Sequence, residues 1–381
     1  MNIKKILLIC GTRPELIKLA PLYICLKKYP NRFKVSLCVT GQHKQMLKQA
    51  LDIFQIKPDF DLKIMKPNQS HFSVTSKILI KMEDVLKSVK PDVVIVHGDT
   101  TTTLAASLSC YYLKIKLAHV EAGLRTNEIY SPYPEELNRQ VVSRIANFHF
   151  APTKQSKKNL IKENINKKNI LVTGNTVIDS LKKTISLISS NKIIHNKLAT
   201  YFNKSLGFEI LDEKYILITV HRTENFGNGL KKICIAINHL SRKYKNLKFI
   251  LPVHMNPKVA NSLQKMLKNK DNIFLIKPQD YLHFLYLLKY CYLVLTDSGG
   301  IQEEAPSLDK PVLVMRDFTE RPEGVKAGTI KVIGATTISI IKNVSLLLND
   351  EKMYKRMSKS KNPYGDGNAS EKIVKFLSEI K

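Results

Sequence analysis

The sequence predicts an α/β protein built of two doubly wound domains, and three observations carry that expectation. At 381 residues the chain is too long for one ordinary hydrophobic core, so two domains of about 150–200 residues are the natural division. Apolar, β-rich runs alternate with helical patterns almost throughout, as in parallel sheets covered on both faces. The chemically unusual residues stand just after those runs, where open α/β sheets carry their functional groups.

In the first half, KKILLIC, FKVSLCVT, DVVIVHG, KLAHVEA, FHFAP and NILVTG read as strands. Between them, LIKLAPLYICLKKY and TTLAASLSCYYLK read as amphipathic helices. Residues 181–212 are polar, lysine-rich and poorly patterned, and read as a linker or peripheral excursion. A second series of strands follows: YILITVH, LKFILPVH, NIFLIK, YLVLTD, PVLVMR and IKVIG. No short-period repeat is visible. The pattern is that of two Rossmann-like domains facing a cleft.

Composition narrows the class. With 44% hydrophobic and 24% charged residues the chain reads as globular. No apolar run approaches the roughly 18–20 residues that span a bilayer. The start MNIKKILLIC superficially resembles a signal peptide, but GTRPE follows at once without a small-residue cleavage site, so a first buried strand is expected. Cys10, Cys25, Cys38, Cys110, Cys234 and Cys291 show no CxxC spacing, and most lie in apolar runs as reduced, buried thiols would. A cytoplasmic protein is expected.

A net charge of +29 and a pI near 9.7 raise nucleic acid or an anionic membrane as partners. Only 10 of the 61 basic residues are arginine, however, and the lysines run the whole length. No aromatic-interleaved basic motif, zinc finger or basic tail appears. A lysine-rich solvated surface is the expectation, with no nucleic acid and no membrane insertion. The arginines are more telling: Arg13, Arg125, Arg139, Arg222, Arg316 and Arg321 lie in motif-like stretches, and a planar fork grips a carboxylate or phosphate.

The stretch VLTDSGGIQEEAP, residues 294–306, ends an apolar run in a bare glycine pair and then two acids. Gly299 and Gly300 let backbone N–H groups approach a ligand, and a helix starting near Ser298 points its positive dipole end at an anion. Glu304, one turn on, is placed to accept from ribose hydroxyls, and Arg321 in MRDFTERPEGV returns a cation to the same rim. This reads as a nucleotide-diphosphate clamp; the plainer alternative is an N-cap with acids favouring the helix start. The only approach to GxGxxG is GNG at 227–229, and GxxxxGK[ST] is absent, so neither a nicotinamide cofactor nor a P-loop is expected. No cofactor is called for, and no His/Cys/carboxylate cluster has metal-ligand spacing.

The first half contributes Asp99, Glu121, Glu135 and Glu136, in HGDTTTT, HVEAGLRT and YSPYPEELNR. An acid in a cleft beside a polyanionic nucleotide tends towards a raised pKa and suits acid–base work, although a cap or buried ion pair is open for each. Arg13 and Lys18, in GTRPELIK, balance them or contact phosphate.

GTRPE, HGDTTTTLAASL, HVEAGLRT, YSPYPEELNRQ, GNTVIDSL, HRTENFG, PVHMNP, LTDSGGIQEEAPSL, RDFTERPEGVKAGT and NPYGDGNAS occur in this order. Together they resemble the bacterial non-hydrolysing UDP-N-acetylglucosamine 2-epimerases from the first strand to the last helix. The resemblance implies a GT-B fold: Rossmann-like domains over 1–172 and 173–365 facing a central cleft, and a helix over 366–381 packing back on the first domain. It implies reversible conversion of UDP-N-acetylglucosamine to UDP-N-acetylmannosamine, by loss of UDP to 2-acetamidoglucal and its re-addition, without a redox cofactor. It assigns Asp99, Glu121 and Glu135 as acid–base candidates, with His221 near the diphosphate or assisting. Arg13, Ser298, Gly299 and Gly300 fall to the phosphates, Glu304 to the ribose, Arg321 to the rim, Gln279 and Phe284 to the uracil, and Lys18 to a position important for activity. Gln42, Gln45, Glu136, Arg222 and His254 match a second, activating substrate site. Asn68 and Thr223 depart from the family pattern there: some members have arginine at the first, and HRREN is common at the second. A homodimer is the family expectation. Which acid gives the proton and which takes it stays open.

The same residues suit a hydrolysing relative releasing N-acetylmannosamine, or an epimerase of a deoxy or diacetamido UDP-sugar. A GT-B glycosyltransferase needs the nucleotide half but not three facing carboxylates. A nucleic-acid-binding protein is suggested by charge alone.

Overall fold

Strand and helix alternate along the whole chain. The computed structural model describes residues 3–41, 44–66, 69–221, 227–253, 257–268 and 270–380, with the backbone alone at 44–46, 257 and 258. The chain divides into two units, Met1–Lys182 with Tyr364–Lys381, and Lys183–Pro363.

The first unit carries strands β1 (Lys4–Cys10), β2 (Phe33–Val39), β3 (Phe60–Asp61), β4 (Val93–His97), β5 (Lys116–Val120), β6 (Phe148–Ala151) and β7 (Ile170–Val172). They form one sheet in the order β3-β2-β1-β4-β5-β6-β7, with every pairing parallel. Its helices are α1 (Arg13–Lys27), α2 (Lys44–Phe54), α3 (His71–Val89), α4 (Thr101–Tyr112), α5 (Glu135–Ile145), α6 (Lys154–Lys162) and the start of α7 (Thr176–Ser190). β4 is buried along its whole length, which is why VVIVH reads as an unbroken apolar run rather than an alternation.

The second unit holds β8 (Tyr215–Thr219), β9 (Lys248–Pro252), β10 (Ile273–Ile276), β11 (Leu293–Thr296), β12 (Val312–Val314) and β13 (Ile330–Val332). Their order is β10-β9-β8-β11-β12-β13, again all parallel. Helices α8 (Lys192–Leu206), α9 (Asn228–Lys243), α10 (Pro257–Leu267), α11 (Tyr281–Tyr290), α12 (Gly299–Glu304), α13 (Pro322–Ala327), α14 (Thr337–Asn349) and α15 (Glu351–Ser358) connect them. The core of this unit gathers Ile216, Ile218, Phe249, Leu293, Leu295 and Leu313 from the sheet with Ile233, Ile237 and Val344 from α9 and α14.

The last helix, α16 (Ala369–Glu379), belongs to the first unit. Asp179 accepts from the Ala369 and Ser370 amides at its start, at 3.2 and 2.7 Å. Phe376 meets Phe148 and Phe150 edge-on, each with ring centroids 5.5 Å apart.

All twelve sequence-predicted strands form; the two-residue edge strand β3 has no apolar run to announce it. The stretch 181–212, expected to be a linker or peripheral excursion, is largely helical, because α7 and α8 occupy most of it. Leu198, Phe202 and Leu206 lie four apart and are buried, Asn191 caps the start of α8, and Gly207 closes it in the left-handed conformation. The surrounding lysines hid that stripe. The units divide at Lys182 and at Pro363, whereas the sequence-based boundaries were 172 and 365. Among the described residues no helix is long and apolar enough to cross a membrane, and all six cysteines are buried free thiols.

Candidate active site

In the first unit the strand order reverses between β1 and β4, and the loops after β1, β4 and β5 open at that switch point. Glu15 ties the first two together. Its carboxylate accepts from the Gly11 and Thr12 amides at 3.0 and 2.7 Å, and from the Thr100 and Thr103 hydroxyls at 2.7 and 3.1 Å. With Thr12 as cap this is a capping box, so the acid of GTRPE serves the scaffold.

Glu121 follows β5 with φ of 65°, in the left-handed region that a non-glycine residue occupies only when its surroundings hold it there. One carboxylate oxygen receives the Lys18 ammonium at 2.5 Å and the Asn175 side-chain amide at 2.7 Å, and His97 Nε2 stands 3.6 Å away. Burial alone pushes this carboxyl up, but the Lys18 charge and then His97 outweigh it and hold it well below the ordinary range.

Asp99, after β4, is moved the other way. Crowding away from water pushes its carboxyl up, the Arg139 guanidinium opposes, and the charges of Glu121 and Glu135 reinforce the rise, although 24% of the side chain still meets solvent. Arg139 Nη2 lies 2.9 Å from its carboxylate and Asn138 donates to its backbone carbonyl at 2.8 Å. Glu121 is therefore held in its ionised form, and Asp99 is the more readily protonated of the two.

Glu135 begins α5, half-buried. Glu136 is fully buried: it accepts from the Thr126 and Asn127 amides at 3.1 and 3.2 Å and from Gln140 at 3.0 Å, fixing the loop before α5. Arg13 is the first residue of α1, half-buried.

In the second unit the order reverses between β8 and β11, and His221 and Ser298 follow those two strands. His221 Nδ1 lies 2.9 Å from Asp297, whose buried carboxylate also accepts the His221 amide at 3.0 and 3.1 Å. A carboxylate on Nδ1 fixes the orientation of the ring. Ser298 occupies the N-cap position of α12 but makes no side-chain cap bond there.

Gly299 admits a neighbour. A Cβ built there would lie 2.6 Å from Arg321 Nη1 and 2.8 Å from its Cζ, so the guanidinium rests against the bare backbone; beside Gly300 there is nothing within 4 Å. Arg321 is steadied by Glu303 at 2.9 Å and Glu320 at 3.2 Å. Burial pushes Glu320 up, but Arg316 and Arg321 prevail and bring it down to about 2. Glu304 is buried and accepts from the Tyr281 hydroxyl at 2.9 Å. Gln279 and the half-buried Phe284 lie just before and within α11, and Gln279 donates to the Lys277 carbonyl at 2.6 Å.

The sequence-predicted residues thus fall into two sets. Lys18, Asp99 and Glu121 come together with Arg139, while His221, Ser298, Gly299 and Arg321 gather at the second switch point. Gln42, Arg222 and His254, with Asn68 and Thr223, lie outside the described residues, as does the side chain of Gln45. The arginine forks largely grip carboxylates: Arg125 holds Glu163, Arg139 holds Asp99, and Arg316 holds Glu320. Sequence reasoning missed His97, Asn175 and Tyr281 as neighbours of the key acids. His97 and Asn175 stood inside HGD and GNTVIDSL, but their contacts span 24 and 54 residues. Among the described residues no group of three or more His, Cys, Asp or Glu side chains is arranged to hold a metal ion.

A family described as UDP-N-acetylglucosamine 2-epimerase matches residues 26–378. A UDP-N-acetylglucosamine 2-epimerase of Campylobacter jejuni is 50% identical over 376 residues, covering 98% of this chain and 97% of that protein. One from Yersinia pestis is 49% identical over 373 residues and 98% of each. The crystal structure of UDP-GlcNAc 2-epimerase from Neisseria meningitidis bound to UDP-GlcNAc superposes with a TM-score of 0.93 at 48% identity, over 99% of this chain and 100% of that one.

Proposed function

We propose that this chain, which belongs to the UDP-N-acetylglucosamine 2-epimerase family, interconverts UDP-N-acetylglucosamine and UDP-N-acetylmannosamine. The observation that carries the chemistry is the pair of carboxylates after neighbouring strands, Glu121 held by Lys18, His97 and Asn175 and Asp99 held by Arg139. In the forward direction ionised Glu121 takes the C2 proton, and the C1–O bond breaks to release UDP and leave 2-acetamidoglucal. UDP then re-adds at C1 while Asp99 delivers a proton to the other face of C2, and the roles exchange in reverse. Glu135 shares this proton traffic. Lys18 and Arg139 hold the charge states of the pair.

The leaving diphosphate needs stabilisation as it takes up the C1–O electron pair. Arg321, Ser298 and the amides of Gly299 and Gly300 supply it at the start of α12, with Arg13 as a further cation and His221, oriented by Asp297, beside the phosphates. Glu304 accepts from the ribose, and Gln279 and Phe284 flank the uracil. Gln42, Gln45, Glu136, Arg222 and His254 are assigned to activation by UDP-N-acetylglucosamine itself. Initial rates from UDP-N-acetylmannosamine that ignore added UDP-N-acetylglucosamine would remove that assignment. Six buried thiols fit a reducing cytoplasm. A homodimer is the expected assembly, to be checked by light scattering.

The deciding experiment is proton NMR with UDP-N-acetylglucosamine in deuterated water and no added cofactor. UDP-N-acetylmannosamine bearing deuterium at C2 is the expected product. Free N-acetylmannosamine would instead mark a hydrolysing enzyme, and no turnover despite UDP binding would point to a modified UDP-sugar.

A further inference from the structure

We propose that Asn175 is a positioning residue for this reaction: its side-chain amide, anchored from the C-terminal segment, fixes the carboxylate of Glu121. The inference rests on the proton-accepting role given to Glu121 above. Asn175 is buried, with its Nδ2 2.7 Å from Glu121 Oε2. Its Oδ1 accepts from the Val177 amide at 3.1 Å, so the carbonyl end is committed to the start of α7 and the NH2 end must face the acid.

The residue is itself held from outside its own element. Its backbone N–H donates to the Tyr364 carbonyl at 2.7 Å. Next to it, Gly174 (φ +90°) and Gly365 (φ +125°) touch backbone to backbone, and a Cβ on Gly174 would lie 3.2 Å from both the Gly365 Cα and the Tyr364 carbonyl oxygen. Two residues as distant in sequence as 174 and 365 thus define where the amide sits.

The groups facing Glu121 are Lys18 from α1, His97 from β4, Asp99 just beyond it, and Asn175 from the start of α7. Lys18 brings charge on a flexible stem and fixes no rotamer by itself. An amide NH2 only donates, and so it both aims the carboxylate and favours its ionised form. This suits an acid held at φ of 65°, where the backbone alone gives little stability.

The test uses two variants of the full chain. Asn175→Asp keeps the acceptor that Val177 needs, removes the donor, and sets a second carboxylate against Glu121. Asn175→Ser keeps a short capping oxygen without charge and without the reach. Epimerisation kcat should fall about 100-fold in the aspartate variant and about tenfold in the serine variant. KM and UDP binding should stay within about twofold of wild type, since nothing at the nucleotide is altered. The acid limb of the kcat/KM profile should move to higher pH, further for aspartate than for serine. A fall in kcat with that limb unmoved in the folded variants, or wild-type rates in either, overturns the inference while leaving the epimerase reading intact. An inactive wild type in the same assay removes the premise and the inference with it.

Discussion

The Arg139 guanidinium meets the Asp99 carboxylate at 2.9 Å, joining the first turns of α5 to the loop after β4. Arg139 is the stronger of the two cations, with Lys18, that oppose the burial-driven rise of this carboxyl.

Replacing Arg139 with alanine leaves a largely buried acid without its partner. Urea unfolding at neutral pH should show a loss of about 3 kcal/mol. The Asp99 carboxyl should rise further, and the basic limb of the rate profile should move up with it, if Asp99 delivers a proton. A stable variant with an unmoved limb would take Asp99 out of that role.

The glycine pair separates packing from ligand contact. Gly299→Ala forces a Cβ into Arg321, and both thermal stability and UDP affinity should fall. Gly300→Ala meets nothing within 4 Å, and alanine there should hold or raise stability, by up to about 1 kcal/mol. If the diphosphate lies over this backbone, calorimetry should still show UDP binding about tenfold weaker. Unchanged affinity in Gly300→Ala would move the phosphates elsewhere.

Tyr281→Phe removes the hydroxyl that donates to Glu304 and leaves the ring in place. A loss of about 1 kcal/mol in UDP binding, near fivefold, is expected. The loss should shrink for 2′-deoxy-UDP if Glu304 grips that hydroxyl. Equal losses for both ligands would assign Tyr281 to the fold rather than to the ribose.

Glu320, brought from its ordinary 4.5 down to about 2, makes stability depend on acid. A depressed folded value means the contribution is complete above 4.5 and is lost as pH falls towards about 2. Glu320→Gln should therefore cost about 3 kcal/mol at pH 7, and the gap to wild type should close as pH falls from about 5 to about 2. A gap independent of pH would mean that the ion pairs with Arg316 and Arg321 contribute little.

Much of this molecule can be read along the chain. The strand runs declared themselves because a strand buried on both faces is a short, unbroken apolar stretch, and KKILLIC became β1 residue for residue. The position of Arg13, Asp99, Glu121, His221 and Ser298 after strands follows from the same reading, since open α/β sheets place their loops there. The helices beyond residue 181 were hidden because exposed lysines and other polar residues surround a narrow buried stripe.

What sequence cannot carry is the state of each acid. GTRPE, HGDTTTT and YSPYPEELNR display Glu15, Asp99 and Glu136 alike as acids beside turns. Only folding makes Glu15 a brace for two loops, Glu136 a buried anchor for a third, and Asp99 a carboxyl pushed up beside a Glu121 held down. The reason is that local pattern fixes which segments bury and where strands end. A carboxyl's protonation depends on charges and donors a few ångströms away, and for Glu121 these arrive from Lys18 and Asn175, 103 and 54 residues distant along the chain.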